Sequence, residues 1–171
     1  MADGANLAAA SLVKGAARAG VDVCVYLPDS SLTAAVREFQ RTGTQCIACA
    51  REDEGVAIAV GLNLGGRTAI CLMEASGLGY SGLILARAQV QRTPVVIVAS
   101  HSRGGGEAHD YHGATILVSE GIFAGLNIPY EIVPDVASVE AKVYRAFQTA
   151  RGQLTAFGLL VPPFVMAGDK A

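Results

Sequence analysis

Tryptophan is absent, and charge is scarce: Asp, Glu, Lys and Arg make up only 16% of the 171 residues and nearly cancel, to a formal −2. No basic excess marks a nucleic-acid surface, and no block of like charge suggests an interaction tail. An apolar run fit to cross a bilayer is also missing. The longest uncharged stretch, 152–168, is interrupted by Pro162, Pro163 and glycines. The start carries Asp3 and no basic segment ahead of an apolar core, so a secretory signal is not expected and a cytoplasmic location is. Cysteine is limited to Cys24, Cys46, Cys49 and Cys71, all in predicted strands. Cys46 and Cys49 spell C-x-x-C, but residues three apart on a strand point to opposite faces. No second pair or nearby histidine completes a metal site, so four buried thiols in a reducing compartment are expected.

What is abundant is apolar: 51% of the chain. One domain's worth of sequence so apolar predicts a sheet covered on both faces, and a further surface buried against a partner. Periodicity alternates between helix and strand throughout. Helices are expected at 4–19, 31–41, 53–64, 80–91, 114–125 and 138–151, and strands at 21–27, 45–50, 68–73, 94–100, 128–133 and 156–161. The strands are too uniformly apolar to face water. The pattern predicts an α/β three-layer sandwich around a central six-stranded, mainly parallel sheet. In such sheets ligands bind outside the carboxyl ends of the strands. Those ends carry Pro28-Asp29-Ser30, Arg51-Glu52, Glu74-Ala75-Ser76-Gly77 and His101-Ser102-Arg103-Gly104, so the polar groups of interest fall on one edge.

The segment Arg51-Glu52-Asp53-Glu54-Gly55-Val56 stands out. Three carboxylates mark the start of an apolar helix rich in small residues, where the helix macrodipole favours negative charge. Three more segments lie at the same edge: Leu27-Pro28-Asp29-Ser30; Met73 to Gly79; and Ser102-Arg103-Gly104 with His109 and Gly113; a fourth, Asn127 to Ile132, lies further on. Together they resemble the pyrimidine-binding domain of thiamine-diphosphate (ThDP) enzymes. The nearest resemblance is to the sulfopyruvate and phosphonopyruvate decarboxylase type, in its alpha-subunit form. It spans about residues 5–165 and implies a single pyrimidine-binding domain over 1–171.

The resemblance implies roles residue by residue. Glu52, nine residues before Gly61, corresponds to the glutamate that hydrogen-bonds N1′ of the cofactor's aminopyrimidine and promotes loss of the thiazolium C2 proton. Asp53 and Glu54 are expected to be cap or surface groups. Pro28-Asp29 matches a loop reaching the reacting carbons, with Asp29 assisting proton transfer; capping of helix 31–41 is the other use of Asp29. Ser76, Gly77 and Leu78 match the segment lying against the pyrimidine, where glycine lets backbone come close. Arg103 suits a sulfonate, phosphonate or carboxylate. His109 is implied as an acid, base or substrate contact, and Ser30 as a substrate contact. Two positions depart from the pattern: Ala75 stands where related chains carry asparagine, and Ala114 follows Gly113 in place of an arginine. His101 and His112 are additions of this chain.

The diphosphate-binding signature, Gly-Asp-Gly with a later Asn, does not occur; only Gly168-Asp169-Lys170 comes near it. No P-loop or G-x-G-x-x-G follows a strand. The expected arrangement is therefore a hetero-oligomer with a beta subunit that binds the diphosphate through Mg²⁺. The expected substrate is a small anionic 2-oxo acid, and the expected reaction is decarboxylation. A carboligase of the same family and a non-catalytic flavodoxin-like ligand-binding module are the alternatives.

Overall fold

The structure, a computed structural model, describes residues 3–102 and 112–167. Six strands form one sheet in the order β2-β1-β3-β4-β6-β5. They are β1 Val23–Tyr26, β2 Gln45–Ala48, β3 Ala69–Glu74, β4 Val95–Ser100, β5 Tyr130–Ile132 and β6 Ala156–Val161. Every pairing is parallel, so no mixed sheet forms. The connections are helical: α1 Asp3–Arg18, α2 Thr33–Arg41, α3 Glu52–Leu64, α4 Leu78–Val90, α5 Gly113–Gly125, α6 Val139–Gln153 and α7 Pro163–Ala167. The last helix, α7, was not expected from the sequence and falls in its longest uncharged stretch.

Side chains alternate along the central strands and feed two cores. Cys24, Ile70, Leu72, Val96, Val98 and Leu159 join the layer of α1, α2, α6 and α7. Val23, Val25, Cys71, Met73, Ile97 and Leu160 join the layer of α3, α4 and α5. Burial of β3 and β4 on both faces explains why they read as continuous apolar runs. A tight contact seats α5: the Phe123 ring lies on Gly158 of β6, where any Cβ would overlap it, and Phe123 stacks on Tyr130 at 5.6 Å.

The α3–α5 layer is apolar on its outside as well. Along α4, Tyr80, Leu83, Arg87 and Val90 follow helical spacing on one exposed face. Tyr80 is 70% exposed, Leu83 64% and Val90 86%, with Leu64 of α3 at 61% and Leu117 of α5 at 81%. No helix among the described residues is long and apolar enough to cross a membrane.

Candidate active site

Since all strands run the same way, their carboxyl ends share one edge. The chain leaves β1 for β2 on one side and returns to β3 on the other, which places the topological switch point between β1 and β3. The loop after β1 and the turn after β3 flank this point. The segment after β2 reaches the same edge: the backbone N–H of Cys49 donates to the Tyr26 carbonyl, and α3 then begins at Glu52.

The three carboxylates at the start of α3 have different fates. Asp53 takes a two-pronged ion pair from Arg51, at 3.0 Å to each oxygen, and accepts from the Glu54 backbone N–H. The Arg51 guanidinium holds the Asp53 carboxyl below the usual carboxylate range. Glu54 accepts from the Ala50 backbone N–H at 2.7 Å. Glu52 is half-buried, and no described residue donates to it. Arg51, the preceding residue, is committed to Asp53 and also sits 5.5 Å over the Tyr80 ring. Glu52 is thus a carboxylate with open acceptor sites at the ligand-binding edge.

Its neighbours are a glycine and two thiols. The Glu52 side chain lies directly over the α-carbon of Gly77, the last residue of the 3₁₀ turn Ala75–Gly77. Below, Cys49 and Cys71 crowd Gly55: a Cβ there would stand 2.9 Å from one sulfur and 3.4 Å from the other. Burial pushes both thiols up, with Glu54 adding to the shift at Cys49. Cys24 pairs in register with Cys46, and burial raises both. All four are free thiols, and no group of metal-ligating side chains occurs among the described residues. Cys49 lies just past β2 rather than in a strand.

Both carboxylate oxygens of Asp29 are engaged. Its Oδ1 accepts from the backbone N–H groups of Ser31 at 2.8 Å and Leu32 at 3.0 Å, closing the turn ahead of α2. Its Oδ2 accepts from the Ser100 hydroxyl at 3.2 Å, tying the β1 loop to the end of β4. Ser100 shares the face of Val96 and Val98, so Asp29 and Glu52 reach the edge from opposite layers.

Pro28 and Ser30 are exposed, and Ser76 is half-buried. Leu78 is fully buried in the core, which leaves only its backbone to a ligand. Arg103 and His109 lie outside the described residues. Ser100 was not singled out from sequence, and His101 was noted only as an addition of this chain at the edge. His101 is buried between β4 and α5, 3.4 Å from the Ser119 hydroxyl and 3.4 Å from the Glu120 carboxylate, which accepts from the Tyr130 hydroxyl at 3.3 Å. Their one signal was position: two polar residues ending the Val-Val-Ile-Val strand.

The family model described as "Thiamine pyrophosphate enzyme, N-terminal TPP binding domain" matches residues 7–118. Sulfopyruvate decarboxylase subunit alpha of Methanococcus maripaludis is 32% identical over 96 residues, covering 55% of this chain and 58% of that protein. Phosphonopyruvate decarboxylase of Streptomyces viridochromogenes is 25% identical over 170 residues, covering 95% of this chain and 42% of that protein. The chain therefore spans about half the length of these curated relatives. A 2-oxoglutarate:ferredoxin oxidoreductase from Magnetococcus marinus shares the fold, with a TM-score of 0.72 at 15% identity over 94% of this chain and 29% of that one.

Proposed function

Because the chain belongs to the thiamine pyrophosphate enzyme N-terminal TPP binding domain family, we propose that it is the alpha-type subunit of a ThDP-dependent 2-oxo acid decarboxylase. Its whole length would form one pyrimidine-binding domain. The observation that carries this reading is the sorting of the three carboxylates: Asp53 and Glu54 are occupied locally, and Glu52 alone is open. A half-buried acceptor beside Val56 and Leu78, two residues of the apolar core, fits an aminopyrimidine that presents a ring nitrogen able to share a proton.

When bound, the cofactor supplies an electron sink for the pair left behind as carbon dioxide departs from the 2-oxo acid. Glu52 holds a proton against the ring nitrogen, a role that needs a carboxyl without a competing cation. The commitment of Arg51 to Asp53 preserves that condition. Ser76, Gly77 and the Leu78 backbone form the wall beside the pyrimidine. Asp29 holds or passes a proton at the substrate's carbon, with Pro28 shaping its loop. Ser30, Arg103 and His109 contact the anionic substrate. Mg²⁺ and the diphosphate belong to a separate beta-type subunit, in a cytoplasmic hetero-oligomer. The relatives named as subunit alpha support that division, as does the exposed apolar face of α3–α5.

Glu52→Gln keeps the shape and removes the ionisable carboxyl. In the complex with its partner, kcat is expected to fall about a hundredfold or more, with an unchanged melting temperature. Near-normal turnover would remove Glu52 from the mechanism.

A further inference from the structure

Gly77 raises a question that its own backbone does not answer. Its dihedrals are φ −68 and ψ −13, ordinary right-handed helical values open to any residue. The turn does not need glycine for conformational freedom, in contrast to Gly20, Gly43 and Gly66, which sit at positive φ. Gly77 is also buried at the start of α4.

Space is the remaining reason, and one side chain takes it. A Cβ on Gly77 would overlap Cγ, Cδ and Oε1 of Glu52, and these are the three nearest atoms to it. The carboxylate that opens α3 therefore rests on the bare α-carbon that opens α4, 25 positions along the chain. The platform itself is held: the buried Ser81 hydroxyl donates to the Gly77 carbonyl at 3.2 Å.

We propose that Gly77 is the positioning residue for Glu52, and that its missing side chain, with the turn pinned by Ser81, sets the direction in which the carboxylate is presented. This rests on the reading of Glu52 as the working acid and adds to it what aims that acid. Glu52 is flexible and Gly77 is backbone, so a methyl group at 77 displaces the carboxylate rather than the turn. The enzyme would then hold a folded subunit with its acid pointing elsewhere.

The test uses the full chain and has a readout independent of turnover. In the wild-type chain, nuclear Overhauser contacts are expected between the Glu52 Hγ and Gly77 Hα protons. Gly77→Ala should fold, shift the Glu52 side-chain resonances, and lower the melting temperature by a few degrees. In a Glu52→Ala background the overlapping atoms are gone, so Gly77→Ala should cost nothing or raise the melting temperature. With partner and cofactor present, Gly77→Ala alone should lower kcat tenfold or more. Equal melting shifts in both backgrounds, or Glu52 resonances unmoved by Gly77→Ala, would overturn the proposal. Those results concern packing and stand apart from the Glu52→Gln turnover test. If Glu52→Gln is active while the packing coupling holds, the catalytic reading fails and the contact remains.

Discussion

Asp29 shows how the two oxygens of one carboxylate can take partners from different elements. From sequence, Asp29 could cap a helix or serve a site. The two oxygens take different partners: Oδ1 closes the turn at Ser31 and Leu32, and Oδ2 accepts from Ser100, 71 positions away. If Asp29 acts on substrate, Ser100 aims it. Ser100→Ala is then expected to lower kcat/KM about three- to tenfold, the worth of one net hydrogen bond. Added to Asp29→Ala, it should cause no further loss, because residues that share one interaction are not additive. Steady-state kinetics on the four-member cycle checks this; fully additive losses would separate the two residues. The carboxylates at 52–54 were legible as a helix start, while the choice of Glu52 came from the family resemblance and the spacing to Gly61. The distinction of Glu52 from Asp53 and Glu54 became physical only once Arg51 and the Ala50 amide were seen to occupy the other two.

Among the elements, α4 carries the clearest consequence. A helix facing water on one side ordinarily shows charge there. Here Tyr80, Leu83 and Val90 stand exposed with Arg87 as the only charge among them. A patch of this kind marks an interaction surface. Leu83→Asp and Val90→Asp are expected to leave the melting temperature of the free chain within about 2 °C, as exposed substitutions do. They should weaken association with the beta-type subunit at least tenfold. Analytical ultracentrifugation of the mixed subunits would show it, and undiminished complex formation would move the interface elsewhere. Element types were readable because each apolar run had a clear period. Ends were not. The strand expected over 21–27 begins at Val23, because Asp22 turns outward to take Arg67 and the Thr68 amide. The stretch 75–79, expected as a glycine-bearing loop, is a 3₁₀ turn that runs straight into α4. There the buried Ser81 closes a hydrogen bond that no local pattern announces.

For the whole molecule, the expected division of labour makes a strong claim. If the diphosphate is anchored on another chain, this chain alone should bind ThDP weakly and decarboxylate nothing, and Mg²⁺ should not change that. Adding the beta-type subunit with Mg²⁺ should restore binding and turnover together. Titration calorimetry of the chain with cofactor, with and without partner, is the measurement. Tight Mg²⁺-dependent binding by the lone chain would contradict the arrangement. The amino-acid order by itself determined the layered α/β class, the parallel sheet and the edge on which the polar segments gather. Those follow from short-range periodicity and from the rule that parallel strands end on one side. It did not determine the strand order, the approach of Asp29 and Glu52 from opposite layers, or the seating of Glu52 on Gly77. Each of these joins residues tens of positions apart, and such contacts exist only after two helical layers have closed over the sheet. The carboxylate is written locally, but its direction is set by the atoms that packing leaves no room for.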